Sequence, residues 1–372
     1  MREKILSRVK GLKGLDPSGA LRASMQWLCR AQDACSGGGV STGYDLREGW
    51  LSPFPETTGY IAPTFFNYAR LTGDSSYRKR AIAMLNWLRR VQNADGSIQA
   101  VMPGHEKPVI FDTGQVLFGF LRGFVETHDE LYLACARKCG SWLQSMQDPD
   151  GKWSRYEFMD QLHVYNTRVA WAMFELGRIA DHPDYSEAAA KNIEWGIRQQ
   201  RENGWYDRNA FSAEQPTYTH TIAYATRGIL ESGTIGNRPE WIRRAKLAAD
   251  AMLSRQSSDG SLFGSYDSDW NPTALSTCLT GNAQMAIIWL RLFQLTRDEK
   301  YRIGSSKAVG YLLGKQEKSL WFGNIRGAVA GSWPISGNYL PYVYPNWAAK
   351  FVSDLFMLDQ SIGNPDPDLI FY

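Results

Sequence analysis

Four short polar clusters hold the residue types that acid–base chemistry needs. In Pro53-Phe54-Pro55-Glu56-Thr57-Thr58-Gly59-Tyr60, Glu56 can act as a general acid. In Phe111-Asp112-Thr113-Gly114-Gln115, Asp112 can act as a base that activates water. Either carboxylate could instead do no more than cap a helix. The third cluster, Asp160 to Arg168, is the densest and gathers His163, Tyr165, Asn166 and Arg168. An arginine on a buried helix is costly unless paired, so Arg168 either grips a sugar carboxylate or ion-pairs with Glu56 or Asp112. In the fourth, His220 and Tyr224 are four apart and share a helix face. Such a pair can remove and return a proton α to a carboxylate, or simply pack in the core. Tyr60, Gln115, Trp270, Asn282, Trp333, Tyr344 and Asn346 complete the candidate substrate-binding set, with Trp50 and Tyr342 as further aromatic platforms for sugars.

These clusters lie at comparable places in a repeat. A frame of Trp-Leu, Gln five residues after the Trp, then Asp-Gly and often Trp recurs along the chain. It reads Trp27…Gln32, Trp87…Gln92, Trp142…Gln147, Trp195…Gln200, Ala251…Gln256 and Tyr311…Gln316, the last followed by Trp321. The starts at 27, 87, 142, 195, 251 and 311 give a period of 53 to 60 residues. Within a frame, Ile82, Leu85 and Leu88 show helical spacing, and the following Gly suits a helix end that needs positive φ. The Gln can satisfy the last carbonyls or bridge to a neighbouring repeat. Between frames lie more apolar segments, Tyr60–Leu71, Gly114–Glu126, Thr167–Ile179, His220–Glu231, Gly281–Leu295 and Asn346–Leu358. Helices apolar on most faces are buried on most faces, so these are inner helices and the frames form an outer ring. The expectation is one all-α domain over residues 1–372, an (α/α)6 toroid of six hairpins, with a C-terminal tail, Gly363–Tyr372, packed as a strap or loose. In such a ring the inner helices aim their N-termini at one mouth, where the four clusters converge and where positive helix ends favour anions.

The frame resembles the repeats of terpenoid-cyclase and prenyltransferase toroids, and polysaccharide lyases with α/α toroids carry similar ones. More closely, the chain resembles toroid proteins encoded in bacterial exopolysaccharide biosynthesis loci. The carrying residues are Pro55 to Tyr60, Phe111 to Gln115, Tyr165-Asn166-Thr167-Arg168 and Tyr344-Pro345-Asn346-Trp347-Ala348-Ala349-Lys350, and the likeness spans roughly residues 20 to 360. It implies a glycan pathway. The chain departs from the cyclases in lacking an Asp-x-Asp-Asp acid motif, of which Asp267-Ser268-Asp269 is a partial echo, and it lacks the Cys-plus-His zinc site of prenyltransferases.

Bulk properties narrow the choice. Net charge is +3 with the signs interspersed, which argues against a nucleic-acid footprint. With 14 Trp, 18 Tyr and 16 Phe there are enough rings to fill a wide core and still line a cleft. Five cysteines match no zinc pattern, and Cys135 with Cys139 reads as a buried thiol pair. Met1–Gly14 is basic with no apolar core, which predicts no signal peptide and a cytoplasmic protein, and no stretch is apolar enough to span a membrane. His105, His128 and His182 read as loop residues without a role. No phosphate loop, nucleotide fingerprint or nucleophile elbow occurs, so a cofactor-free enzyme is expected. Its substrate would be an oligo- or polysaccharide, uronate-containing or lipid-linked. The leading reading is a glycoside hydrolase with Glu56 as acid and Asp112 as base. A uronate lyase or C5-epimerase using His220, Tyr224, Arg168 and Asn166, a non-catalytic glycan-binding scaffold, and a cyclase-like enzyme with an apolar cavity are the alternatives.

Overall fold

The computed structural model describes residues 16–100, 107–318 and 322–372. The expectations for Met1–Gly14, His105 and Trp321 lie outside the described residues. Twelve α-helices are described: α1 (Pro17–Asp33), α2 (Pro55–Thr72), α3 (Ser75–Val91), α4 (Ile110–Thr127), α5 (Glu130–Met146), α6 (Thr167–Ile179), α7 (Pro183–Arg198), α8 (Thr219–Ile235), α9 (Pro239–Ser254), α10 (Leu279–Thr296), α11 (Glu299–Leu313) and α12 (Asn346–Ser361). The even-numbered helices pack side by side in the order α2–α4–α6–α8–α10–α12, and α12 returns to α2. Each packs against the outer helix that follows it, while α12 packs against α1 at the start of the chain. The protein is an (α/α)6 toroid whose sixth hairpin is made of the first and last of the described helices.

The outer ring is sewn by one repeated side chain. Each frame Gln sits just after an outer helix and points its amide Nε2 two ways. Gln147 Nε2 donates to Gly151 O in its own turn at 3.0 Å and to Ala188 O in the next outer helix at 2.9 Å. Gln32, Gln92, Gln200 and Gln256 repeat this with Gly38 and Arg80, Gly96 and Cys135, Gly204 and Arg244, and Gly260 and Gly304. Gln316 closes the circle by reaching Gly327 O and, 2.8 Å away, Ala20 O of α1. The expected bridge to the neighbouring repeat is present, while the second bond goes to the turn glycine rather than to the last carbonyls of the helix; one NH2 group, with two protons to give, makes both. The turn glycine must be glycine. Gly151 has φ +96°, and a Cβ there would lie 2.3 Å from Lys191 O of α7.

Inner helices approach closely through small residues. A Cβ on Gly59 of α2 would meet the α4 backbone at Val116 Cα, 2.6 Å away, and one on Gly281 of α10 would meet His220 N of α8, 2.8 Å away. The chain linking an inner to an outer helix is also repeated. Asp74, Asp129 and Asp298 cap α3, α5 and α11 after a left-handed residue, Gly73, His128 or Arg297. Leu71-Thr72-Gly73-Asp74 and Leu295-Thr296-Arg297-Asp298 are alike in sequence for this reason, and His128 has a structural place.

Seven short strands decorate the mouth. β1 (Gly43–Asp45) pairs with β2 (Gly49–Trp50) and with β7 (Val343–Pro345), tying the first connection to the last. β3 (Thr217–Tyr218) pairs with β4 (Ser265–Tyr266), and β5 (Thr277–Cys278) with β6 (Ser332–Trp333). At the opposite end the tail is an ordered strap. Asn67 Nδ2 donates to Ile370 O, Arg227 to Phe371 O and Lys350 Nζ to Tyr372 O, while the Tyr372 ring stacks on Phe118 at 4.5 Å. No helix among the described residues is long and apolar enough to cross a membrane.

Removing the Gln147 stitch takes a donor from each of two buried carbonyls, Gly151 O, which keeps Asn192 Nδ2, and Ala188 O. Gln147→Leu should lower unfolding free energy by about 1–3 kcal/mol, and Gly151→Ala by more, because it adds strained φ and a clash. Urea denaturation checks both; an unchanged midpoint for Gln147→Leu would show that the stitch contributes nothing.

Candidate active site

The helix N-termini do converge. At the mouth lies a cavity of about 240 Å³, walled by the first turns of α2, α4 and α8 and by loops after Gln147, Gln199 and Trp333. Six of the expected site residues line it: Glu56, Tyr60, Asp112, Tyr165, His220 and Tyr224.

Neither carboxylate is a helix cap. The N-cap of α2 is Phe54 and that of α4 is Val109, so Glu56 and Asp112 sit inside the first turn. The threonines two and one residues further on do the local bonding instead. Thr58 Oγ1 accepts from Val40 N and donates to Phe54 O; Thr113 Oγ1 accepts from Ile98 N and donates to Val109 O. With that work done by threonine, the carboxylates are left to face the cavity. Asp112 is 5% exposed and Glu56 opens more to the cavity. Burial raises the pKa of both above the usual carboxylate range, and Glu56 is raised further by the charge of Asp112. Tyr60, hydrogen-bonded to Glu56, and the Arg168 charge pull Glu56 partly back. Such a pair titrates as a unit, one proton at a time.

The walls are mostly aromatic. Phe111 meets Tyr165 edge-on at 5.1 Å and Tyr224 at 5.0 Å. His220 lies 4.5 Å from the Tyr339 ring, 5.4 Å from Phe211 and 5.8 Å, edge-on, from Tyr224. Burial in this cage lowers the His220 pKa to about 3, so it is neutral near pH 7. The Tyr224 hydroxyl is hydrogen-bonded to Tyr60 and Gln284, linking α8 to α2 and α10. No lysine or arginine lines the cavity among the described residues.

Other expected site residues stand elsewhere. Gln115 and Arg168 lie behind the lining and bond to each other, Arg168 Nε to Gln115 Oε1 at 2.7 Å. Arg168 makes no ion pair with Glu56 or Asp112, contrary to one expectation, and does not reach the cavity to bind a sugar, contrary to the other. His163 and Asn166 are turned onto Glu157, at 3.0 and 2.5 Å, and hold it buried. Asn282 serves Leu262 N and Cys278 O, and Asn346 bonds Ser41 O and Thr57. Trp270 packs edge-on against Trp205 and donates to Asn203 O; Trp333 is 44% exposed under the Lys315 ammonium. Tyr344 faces a separate surface groove with Tyr44, Leu46 and Phe322. Among the described residues no group of His, Cys, Asp or Glu could hold a metal ion.

Several lining residues escaped the sequence reading. Phe158 and Met159 come from a loop where Tyr156, Met159 and Asp160 all have positive φ, a strained run anchored by buried Glu157. Phe211, Gln215 and Leu340 come from connections without repeat spacing, while Trp347, from a quoted motif in the first turn of α12, donates to the Tyr339 hydroxyl at 3.0 Å.

With this geometry in hand, the comparisons can be placed. The sequence pattern of the squalene-hopene cyclase C-terminal domain matches residues 55–230, a little under half of the chain. A search of curated proteins finds no significant match. Solved structures of the same fold include an unsaturated glucuronyl hydrolase specific for heparin, with 15% identity, TM-score 0.75, and 94% of this chain and 98% of that one covered. They include the unsaturated glucuronyl hydrolase of Bacillus sp. GL1, responsible for glycosaminoglycan degradation (15%, 0.72, 92% and 96%). Cellobiose 2-epimerase from Bacillus thermoamylovorans is a third (11%, 0.72, 97% and 100%). At such identities the likeness is one of fold, and it places the chain among α/α toroids.

Two pH effects follow from the burial. Asp112, its pKa raised by folding, supports the fold below about pH 4 and costs stability as pH rises through its native pKa. Asp112→Asn should therefore raise the melting temperature at neutral pH and lose that advantage below about pH 4; a lower melting temperature at pH 7 would contradict it. His220 is the opposite case. The unfolded chain takes up its proton near pH 6.5 and the folded one near 3, so stability should fall across that interval as acid is added. NMR of the imidazole nitrogens should find His220 neutral at pH 5.

Proposed function

We propose that the protein is a glycoside hydrolase that takes the end of a neutral oligosaccharide, with Glu56 as general acid and Asp112 as general base. The observation that carries this reading is the carboxyl pair itself. Two acids on adjacent inner helices share one aromatic cavity, burial raises both, and the charge of Asp112 raises Glu56 further, so Glu56 is the one to keep its proton when the pair carries a single negative charge. Hydrolysis with a base-activated water asks for this combination. Aromatic walls suit the apolar faces of sugars, and about 240 Å³, small for a ligand site, suits one sugar ring better than a run of polymer. A lining with two carboxyls and no cation favours a neutral sugar over a uronate. A role in exopolysaccharide biosynthesis, with a lipid-linked or cytoplasmic precursor as substrate, remains part of this proposal on the strength of the family resemblance.

A second reading is supported by His220 and Tyr224, which share the cavity and meet edge-on. Together they could exchange a proton on a sugar carbon and epimerise it without cleavage. His220, held neutral, has a free lone pair for this, but its low basicity makes it the weaker candidate.

The test is incubation with neutral and uronate-containing oligosaccharides in heavy-oxygen water and in D2O, read by mass. Cleavage with uptake of one water, reduced about 10²–10⁴-fold in both Glu56→Gln and Asp112→Asn, is expected. Deuterium uptake without cleavage, lost in His220→Ala, would replace this reading with the epimerase, and binding with neither change would leave a scaffold.

A further inference from the structure

Arg168 is the least explained charge in the molecule. It is 1% exposed, on α6, and its guanidinium is enclosed by the rings of Phe118, Trp171, Tyr224 and Phe351 at 5.2–5.6 Å. Its Nε donates to Gln115, while its buried Nη2 has no partner. No carboxylate among the described residues comes within 4.0 Å of it.

The neighbouring charges are already spoken for. Lys350 pairs with Asp354 at 2.7 Å on α12, and Asp354 also accepts from Thr64 of α2. Arg227 of α8 pairs with Glu231 at 2.6 Å, which Arg291 of α10 also reaches. Arg122 of α4 pairs with Glu126. Asp354, shared with Lys350, attracts Arg168 from beyond contact distance, and the remaining titratable groups facing it are the hydroxyls of Tyr60 and Tyr224 and, beyond them, Glu56. A buried cation without a counterion is strongly unfavourable, and aromatic faces offset only part of its lost hydration. The structure around it leads to one place. Gln115, its hydrogen-bond partner, stands three residues after Asp112 on α4, so both lie on one side of that helix. Tyr224, beneath the guanidinium, is hydrogen-bonded to Tyr60, and Tyr60 to Glu56.

We propose that Arg168 is the fixed counter-charge of the Glu56–Asp112 pair, a positioning residue out of reach of substrate that eases the loss of the first proton from the two carboxyls. An acid and a base then coexist once that proton has left, without a cation in the cavity. The proposal rests on the pair being the machinery described above, so its first test uses no substrate.

Protein carrying ¹³C-labelled side-chain carboxyls is titrated by NMR, with Glu56→Gln and Asp112→Asn assigning the two signals. In the parent chain the pair should lose its protons in two separate steps, the first at about pH 8, to which burial raises Asp112. In Arg168→Met both steps should move upward by about one unit or more, so that the site stays doubly protonated to a higher pH. Arg168→Lys, which keeps the charge and loses the fork, should restore most of the shift. Arg168→Gln is the second neutral variant should the first fail to fold, with the same shift expected. Titration curves that superimpose in the parent and a folded neutral variant, with only the melting temperature lowered, would overturn the proposal and make Arg168 structural. Once a substrate is known, the acid limb of kcat/KM should move by the same amount with KM little changed. A carboxyl shift in a protein that hydrolyses nothing would sink the hydrolase reading alone.

Discussion

The two hydrogen bonds of one glutamine amide hold this architecture in place. A toroid has no central element to build on, so each hairpin must be fixed to the next at a constant angle, and a small error repeated six times would leave the ring open. The frame Gln meets that demand by giving one proton to its own turn and one to the next outer helix. The turn glycine, pressed onto a neighbouring carbonyl, sets the distance. Glu56 and Asp112 are on different hairpins, so their separation is a property of the ring and not of any local motif.

Closure also makes the interior expensive. Inner helices buried on every side leave the bore with few places for charge, and those present are paired close by: Lys350 with Asp354 on α12, Arg227 with Glu231 on α8, His163 with Glu157 in one loop. The cavity breaks this pattern. Two carboxyls with raised pKa, a histidine kept neutral and a cation caged by rings are each unfavourable there. The ring, with its six stitches and its large apolar core, supplies the stability that such a cluster consumes.

Much of this was legible because repetition amplifies weak signals. One Trp-x4-Gln spacing proves little, whereas six frames at a common period, four of them with that Trp, define the outer ring, and the apolar stretches between them define the inner one. Glu56, Asp112, His220 and Tyr224 were found because each opens an inner helix, and helix N-termini in a ring share a mouth. Their neighbours were harder. Phe211 and Phe158 come from irregular loops, where no periodicity says which way a side chain points. Trp270 and Trp333 looked like sugar platforms by type alone, yet one is packed on Trp205 and the other lies on the surface. Arg168 was singled out correctly as costly, but the sequence could not show that aromatic rings rather than a carboxylate surround it.

The sixth hairpin carries a consequence for how the chain is made. Helix α1 finishes at Asp33, and its partner α12 begins at Asn346. At a synthesis rate of roughly 5–20 residues per second, α1 leaves the ribosome tens of seconds before the helix that covers it. Throughout that time Leu21, Met25 and Leu28, all buried in the finished ring, lack the helix that covers them, and Trp27 has early company only from Trp50, 5.6 Å away. Ring closure therefore waits for the last inner helix, and a nascent chain of this kind is a natural client for chaperones that shield an exposed amphipathic helix.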